Sequence, residues 1–349
     1  MKNVVPPLIP PPSRLSGFRS LAARAGLDWF LLALLAMIGL AYLWPKPGIQ
    51  EGPFSLSSLA GYGVSLIFFF YGLRLSLEKL RVGLSNWRLH LTVHLTTFVL
   101  FPLLILAARS LFADDPADPL WLGAFYMAAL PSTVSSSVVM VSIAGGNLPA
   151  AIFNASISSL IGVFLTPVWM GLVLAAGSGD YDLGSIIGKL ALQVIAPVIL
   201  GMLLNRWGGA FAERHKKALR YFDQTVILLI VYTSFCESFS RRMFQNLSLE
   251  DFLVLSACML GLFFLVFGMV LLISRLMGFS REDRITALFC GSKKSLVQGS
   301  VMVNVLFPGT IAGIALLPIM IYHGLQLIAA SILAQAMARA APQPPKGGV

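Results

Sequence analysis

Along this chain long apolar runs alternate with short polar stretches, and the runs have membrane-crossing length. An α-helix needs about 20 consecutive, mostly apolar residues to span a hydrocarbon core. Ten runs meet or approach that length: Trp29–Trp44, Leu59–Leu77, Leu89–Ala108, Leu120–Ala144, Leu148–Ala176, Leu183–Leu204, Thr225–Phe239, Phe252–Leu276, Ile285–Phe307 and Thr310–Ala338. The pattern predicts an all-α polytopic membrane protein of about ten transmembrane helices. The first run ends in Trp44-Pro45-Lys46-Pro47 with no small-residue cleavage site, so it reads as a retained span and not as a signal peptide.

Two runs are interrupted by polar residues, and they occupy corresponding places. Pro131-Ser132-Thr133-Val134-Ser135-Ser136-Ser137 breaks the fourth, and Gly291-Ser292-Lys293-Lys294-Ser295 breaks the ninth. The chain divides into two five-helix halves, 28–177 and 178–339, with each break in the fourth span of its half. Five is odd, so the second half enters the membrane inverted relative to the first. Paired interruptions in two inverted halves point to a transporter's binding site. Breaking a helix in lipid strands N–H and C=O groups at several kcal/mol each, so a break survives only inside protein or beside a wet cavity. A proline kink patched by hydroxyls is the plain alternative for the first break.

Composition narrows the class further. Hydrophobic residues make up 57% of the chain and charged residues 11%, against roughly a quarter charged in ordinary soluble domains. Mean hydropathy is +0.83, and 349 residues leave little room for a separate soluble domain. The net charge of +10 sits in short loops between apolar runs, which is the footprint of membrane orientation and not of nucleic-acid binding. With both termini inside, eighteen of the 25 lysines and arginines fall on the cytoplasmic side. Five (Lys46, Arg109, Lys189, Arg241, Arg242) fall outside, and Lys293 and Lys294 lie within the membrane. A cell inner membrane is expected, with a cytoplasmic, disordered tail over 1–27 and a cytoplasmic tail over 340–349. Cys236, Cys258 and Cys290 lie in apolar runs without metal-ligand spacing and read as small buried hydrophobes. No cofactor or metal is implied.

Lys293 and Lys294 carry the strongest chemical signal. A lysine at the bilayer centre costs about 2.5–3.5 kcal/mol on insertion scales and is a functional-site hypothesis by default. Snorkelling to an interface is the alternative, and no acid in the spans is an obvious partner, because Asp28, Asp223 and Glu237 lie near helix ends. Candidates to complete a substrate or coupling-ion site are Ser135, Ser136, Ser137 and Ser295. Asn154 and Ser158 share a face at i, i+4, as do Lys294 and Gln298 if helix resumes there, while His323 and Gln326 lie one turn apart. Each of these polar residues also fits a role as interhelical glue.

Several blocks together carry a family likeness. They are Pro131 to Ser136, Gly145-Gly146-Asn147 through Asn154, Tyr232 through Ser240, Phe289-Cys290 through Leu296, and Pro318 through His323. With them the chain resembles the bile acid:sodium symporter superfamily, solute carrier family 10. The closer likeness is to the branch of the vertebrate seventh member, its bacterial relatives and fungal regulators of calcium uptake. The resemblance implies ten helices in a five-plus-five inverted repeat, with unwound fourth and ninth helices crossing at mid-membrane. It also implies a core of spans three to five and eight to ten moving against a panel of spans one, two, six and seven. The bile-acid carriers bind sodium with an acidic residue and a glutamine at the ninth-helix crossover. Matched on Gly291 and Ser295, those positions are Phe289 and Lys293 here. Their fourth-helix Ser-Asn pair resembles Ser136-Ser137 or a neighbouring pair, and hydroxyl positions of their fifth helix fall near Ala151 and Ala155.

The expected function is a secondary, symporter-like carrier of an organic anion or amphipathic solute, with the proton favoured over sodium as coupling ion. In it Lys293 or Lys294 replaces the coupling cation or holds the solute's negative group. A non-transporting membrane regulator of ion homeostasis, such as calcium uptake, is the alternative. An enzyme is disfavoured: Ser292-Lys293 and Lys294-Ser295 offer serine and lysine, but adjacent residues on a helix do not face each other. The expected partners are a small-molecule solute and the lipid bilayer, with no nucleic acid.

Overall fold

The computed structural model describes residues 29–74, 86–109, 118–177, 188, 191–245, 248–307 and 311–340. The tails expected over 1–27 and 340–349, Ala340 aside, and the loops with Lys79, Arg81, Lys189 and Asp180 to Asp182 lie outside those residues. Among the described residues every regular element is helical. They are α1 (Trp29–Leu43), α2 (Leu56–Arg74), α3 (Trp87–Ala107), α4 (Pro119–Ala129), α5 (Ser135–Ala144), α6 (Leu148–Gly177), α7 (Ala196–Arg214), α8 (Lys216–Ser240), α9 (Leu249–Leu276), α10 (Arg281–Gly291), α11 (Leu296–Leu306) and α12 (Ala312–Arg339). A short 3-10 turn, Lys46–Gly48, follows α1, and π turns occupy Thr96–Leu100 inside α3 and Ala191–Ile195 ahead of α7.

The helices of α2, α3, α6, α7, α9 and α12 are each long and apolar enough to cross a bilayer, which makes this a multi-pass membrane protein. The expected fourth and ninth spans are each two short helices joined by a link. The first break differs from expectation in one respect. The unwound link is Leu130 to Val134, and Ser135, Ser136 and Ser137 already form the first turn of α5. Pro131 removes a backbone donor and ends α4, whereas serine is compatible with a first helical turn. The cationic loop expected after the sixth span is also shorter than its sequence suggested. Arg206 and Arg214 ride on α7, Lys216, Lys217 and Arg220 ride on α8, and only His215 lies between.

Packing separates the helices into two groups. The first is α1, α2, α7 and α8, and the second is α3 to α6 with α9 to α12. In the first group α2 and α7 cross at backbone contact. A Cβ at Gly72 would strike the Val198 carbonyl, and one at Gly201 would strike that of Phe69. Small residues let helices approach closely where lipid removes any hydrophobic drive to associate. The second group is tied at one end by polar side chains. Asp283 accepts from Asn86 Nδ2 (2.7 Å) and Asn147 Nδ2 (2.8 Å), while Arg281 donates to the carbonyls of Met337 (2.9 Å) and Ala144 (3.4 Å). These bonds join the ends of α3, α5, α6, α10 and α12. The two groups meet chiefly through α8, which lies on α11 and α12.

Candidate functional site

The two breaks meet. The Ser295 amide donates to the Pro131 carbonyl at 2.9 Å, a backbone bond between links more than 160 residues apart in sequence. The site is understood by following the carbonyls that each defect releases, since a buried unpaired group is costly.

The end of α4 strands the carbonyls of Ala128, Ala129, Leu130 and Pro131, because the helix stops before their normal donors. Each finds another. Thr166 Oγ1 donates to Ala129 (2.8 Å), the Ser295 amide to Pro131, and the Lys294 ammonium to both Ala128 (2.6 Å) and Leu130 (2.8 Å). The Ser132 amide, a donor the helix would have used, goes to Ser158 Oγ at 2.9 Å. A second defect lies in α3. The Phe101 amide bonds the carbonyl of Thr96 in the π turn, and Pro102 has no amide to offer. The carbonyls of Thr97 and Phe98 are thereby freed. Trp169 Nε1 takes Phe98 (2.7 Å), and Lys294 takes Thr97 (2.7 Å). Lys294 Nζ also lies 4.1 Å from the centroid of the Phe101 ring, within cation–π range.

Lys294 is thus saturated: three N–H bonds meet three carbonyls. Three acceptors around one nitrogen match the three N–H donors of the ammonium form. The partly negative C-terminal end of α4 favours the same charge. The link itself is held by Gln326, whose Oε1 accepts from the Lys294 amide (2.9 Å) and whose Nε2 donates to the Lys294 carbonyl (2.8 Å). His323 Nδ1 lies 2.9 Å from that Nε2, and Tyr322 donates to the Ser292 carbonyl at 2.7 Å.

Lys293 is also fully buried, yet its ammonium has a single acceptor among the described residues, Ser136 Oγ at 2.9 Å. Ser136 and Ser137 share Thr133 Oγ1 (2.8 and 2.9 Å). No carboxylate lies within ion-pair distance of either lysine among the described residues. The first turn of α5 opens beside Lys293 without a side-chain cap, its preceding residue being Val134. The first turn of α11, in contrast, is capped by Ser295, which accepts from the Gln298 amide. Lys293 therefore sits at an uncapped helix start, where backbone N–H groups and the helix dipole favour an anion.

The candidate residues divide accordingly. Ser136, Ser137, Ser158, Lys293, Lys294, Ser295 and Gln326 lie where the two links meet, with His323 bonded behind Gln326. Ser135 is exposed and lies beside it. Asn154 is bonded to His90 Nδ1 (3.0 Å) and to the Ala150 carbonyl (2.9 Å) and not to either link. Gln298 does not stack on Lys294. Helix resumes only at Leu296, which resets its phase, and the Gln298 side chain donates to the Ser159 carbonyl (3.2 Å). The residues that sequence reasoning missed are backbone carbonyls, with Phe101, Pro102, Thr133, Thr166, Trp169 and Tyr322. Pro102 in the middle of an apolar run was the available signal, because it marks carbonyls without donors.

A family model for the SBF-like CPA transporter family matches residues 28–339. An uncharacterised protein of Pseudomonas aeruginosa is 41% identical over 89% of this chain and 93% of its own length. YfeH of Escherichia coli, which carries the name of a symporter, is 39% identical over 88% and 92%. The mouse protein named sodium/bile acid cotransporter 7 is 31% identical over 90% and 93%. Lipid-length helices, two broken helices that meet at their links and these likenesses agree: the chain belongs to the SBF-like CPA transporter family.

Proposed function

We propose that this transporter is a secondary carrier of an organic anion or amphipathic solute, working by alternating access. The observation that carries the reading is Lys293: a buried ammonium bonded to one hydroxyl, beside the uncapped start of α5, with no carboxylate within ion-pair distance among the described residues. A charge so placed is incomplete until a solute brings the opposite one. Burying an unpaired charge is expensive, and an anionic solute relieves that cost at the moment it binds. On this reading Lys293 keeps its proton while the anion is bound and gives it up once the anion has left, because the unpaired charge is then costly, which makes the proton the coupling ion. The mouse relative's name contains sodium and bile acid; neither is needed here.

The architecture proposed is ten spans in a five-plus-five inverted repeat, counting α4 with α5 and α10 with α11 as single interrupted spans. Both termini lie in the cytoplasm of a cell bounded by this inner membrane. The group of α3–α6 and α9–α12 moves as a core against the panel of α1, α2, α7 and α8. The close contact of α8 with α12, where a Cβ at Gly313 would strike Ser238 Oγ, then lies on the outer side and closes it.

The test is a stabilisation screen of the purified protein against organic anions, with and without sodium and across pH, followed by uptake into proteoliposomes. Uptake of a stabilising anion that follows an imposed pH gradient, with sodium absent, is the expected result. Stabilisation by no anion, or uptake driven only by sodium, would overturn the reading.

A further inference from the structure

Lys294 occupies a coordination shell as well as a hydrogen-bond network. Thr97, Ala128 and Leu130 present carbonyl oxygens at 2.7, 2.6 and 2.8 Å to one nitrogen, and the Phe101 ring closes a further side at 4.1 Å from its centroid. All these ligands are neutral. Three carbonyls and an aromatic face suit a compact monovalent cation. They do not suit calcium, which takes six to eight oxygens and usually carboxylates. The oxygens are also fixed independently of the lysine. Thr97 is freed by the π turn and Pro102, and Ala128 and Leu130 by the end of α4.

We infer that this cage is a monovalent-cation site which the chain fills with its own Lys294, so that the cation is covalently tethered. A tethered cation holds the two broken helices together as a bound ion would, but it does not dissociate. The site therefore contributes a permanent positive charge and no exchangeable ion. Any ion coupling has to run elsewhere, and sodium has no vacant place in this cage. The inference depends on the carrier reading only for this consequence; the cage itself is tested by unfolding, which needs no solute to move.

Unfolding of the full-length protein in detergent, followed by tryptophan fluorescence, is measured first with sodium and then with choline at equal ionic strength. The wild-type Tm is expected to be the same in both. A Lys294→Ala variant loses three methylenes and the ammonium, leaving a space the shape of n-propylammonium. Its Tm is expected to fall and to rise again by about 3 °C or more in n-propylammonium chloride. Choline chloride, too bulky for the cage, should give no such recovery, and the wild type should respond equally to both salts. Equal responses of the variant to propylammonium and choline would overturn the inference. If the alanine variant does not fold, Lys294→Gln decides: a Tm within about 1–2 °C of wild type would mean that the carbonyls need no cation and would overturn the inference.

Discussion

Lys293 and Lys294 are neighbours in sequence and equally buried, yet their surroundings are opposite. Lys294 has three carbonyls and an aromatic face; Lys293 has one hydroxyl and an uncapped helix start. One ammonium completes a structure, and the other leaves one incomplete. The same contrast separates the helix starts after the two breaks. Ser295 caps α11, whereas Val134 leaves α5 open. Burial alone does not identify a working charge in a membrane. The count of unmet hydrogen bonds around it does.

The contrast breaks most visibly at Lys294. Lys294→Gln offers two amide N–H bonds from a shorter side chain and no charge, so it leaves at least one carbonyl unpaired and weakens the others. With about 1–3 kcal/mol for each stranded group, the loss should reach several kcal/mol, read as a fall in Tm on the order of 5–10 °C. A Tm within 1–2 °C of wild type would mean the cage carries no structural load.

A smaller effect is expected where a single hydrogen-bond acceptor at the break is removed. Ser158→Ala deletes the acceptor for the Ser132 amide and should cost about 1–3 kcal/mol, with solute affinity falling as the start of α5 shifts. An unchanged Tm would show that water or another carbonyl replaces the hydroxyl. Gly313→Ala tests a different quantity. It forces α8 away from α12, so it should alter uptake kinetics and raise the outside labelling of a cysteine placed at Ser238, more than it alters Tm. Unchanged labelling would place the moving contact elsewhere.

The smallest effect serves as a control. Ser248 and Asp251 form a reciprocal cap at the start of α9, far in sequence from both breaks. Ser248→Ala should cost about 1 kcal/mol and leave solute affinity as it is. A change in affinity would show that the site is sensitive to any loosening of the bundle, which would blur every other comparison.

The sequence reading reached the helical class, the place of both breaks and the two lysines, because each appears as polarity inside an apolar run. It did not reach the difference between the lysines. That difference rests on carbonyls of Thr97, Ala128 and Leu130, and every residue has a carbonyl, so no residue type announces them. Only Pro102 and Pro131 betray that donors are missing nearby. Gln298 misled for a related reason: helical phase was carried across Lys294, but the Ser295 cap restarts it. Ser135 was grouped with the break because a serine run reads as polar loop, whereas three serines fit a first helical turn.

The central claim is that Lys293 is the group the solute completes. The most direct measurement is the affinity of wild type and Lys293→Gln for one stabilising anion, by ligand-dependent Tm or equilibrium binding, at fixed pH. Lys293→Gln forfeits one hydrogen bond within the protein but a charge-assisted one to the solute, worth about 1.5–3 kcal/mol. A Tm close to wild type is therefore expected, with affinity reduced about 10- to 100-fold. Equal affinities, within about twofold, in a folded Lys293→Gln would contradict it.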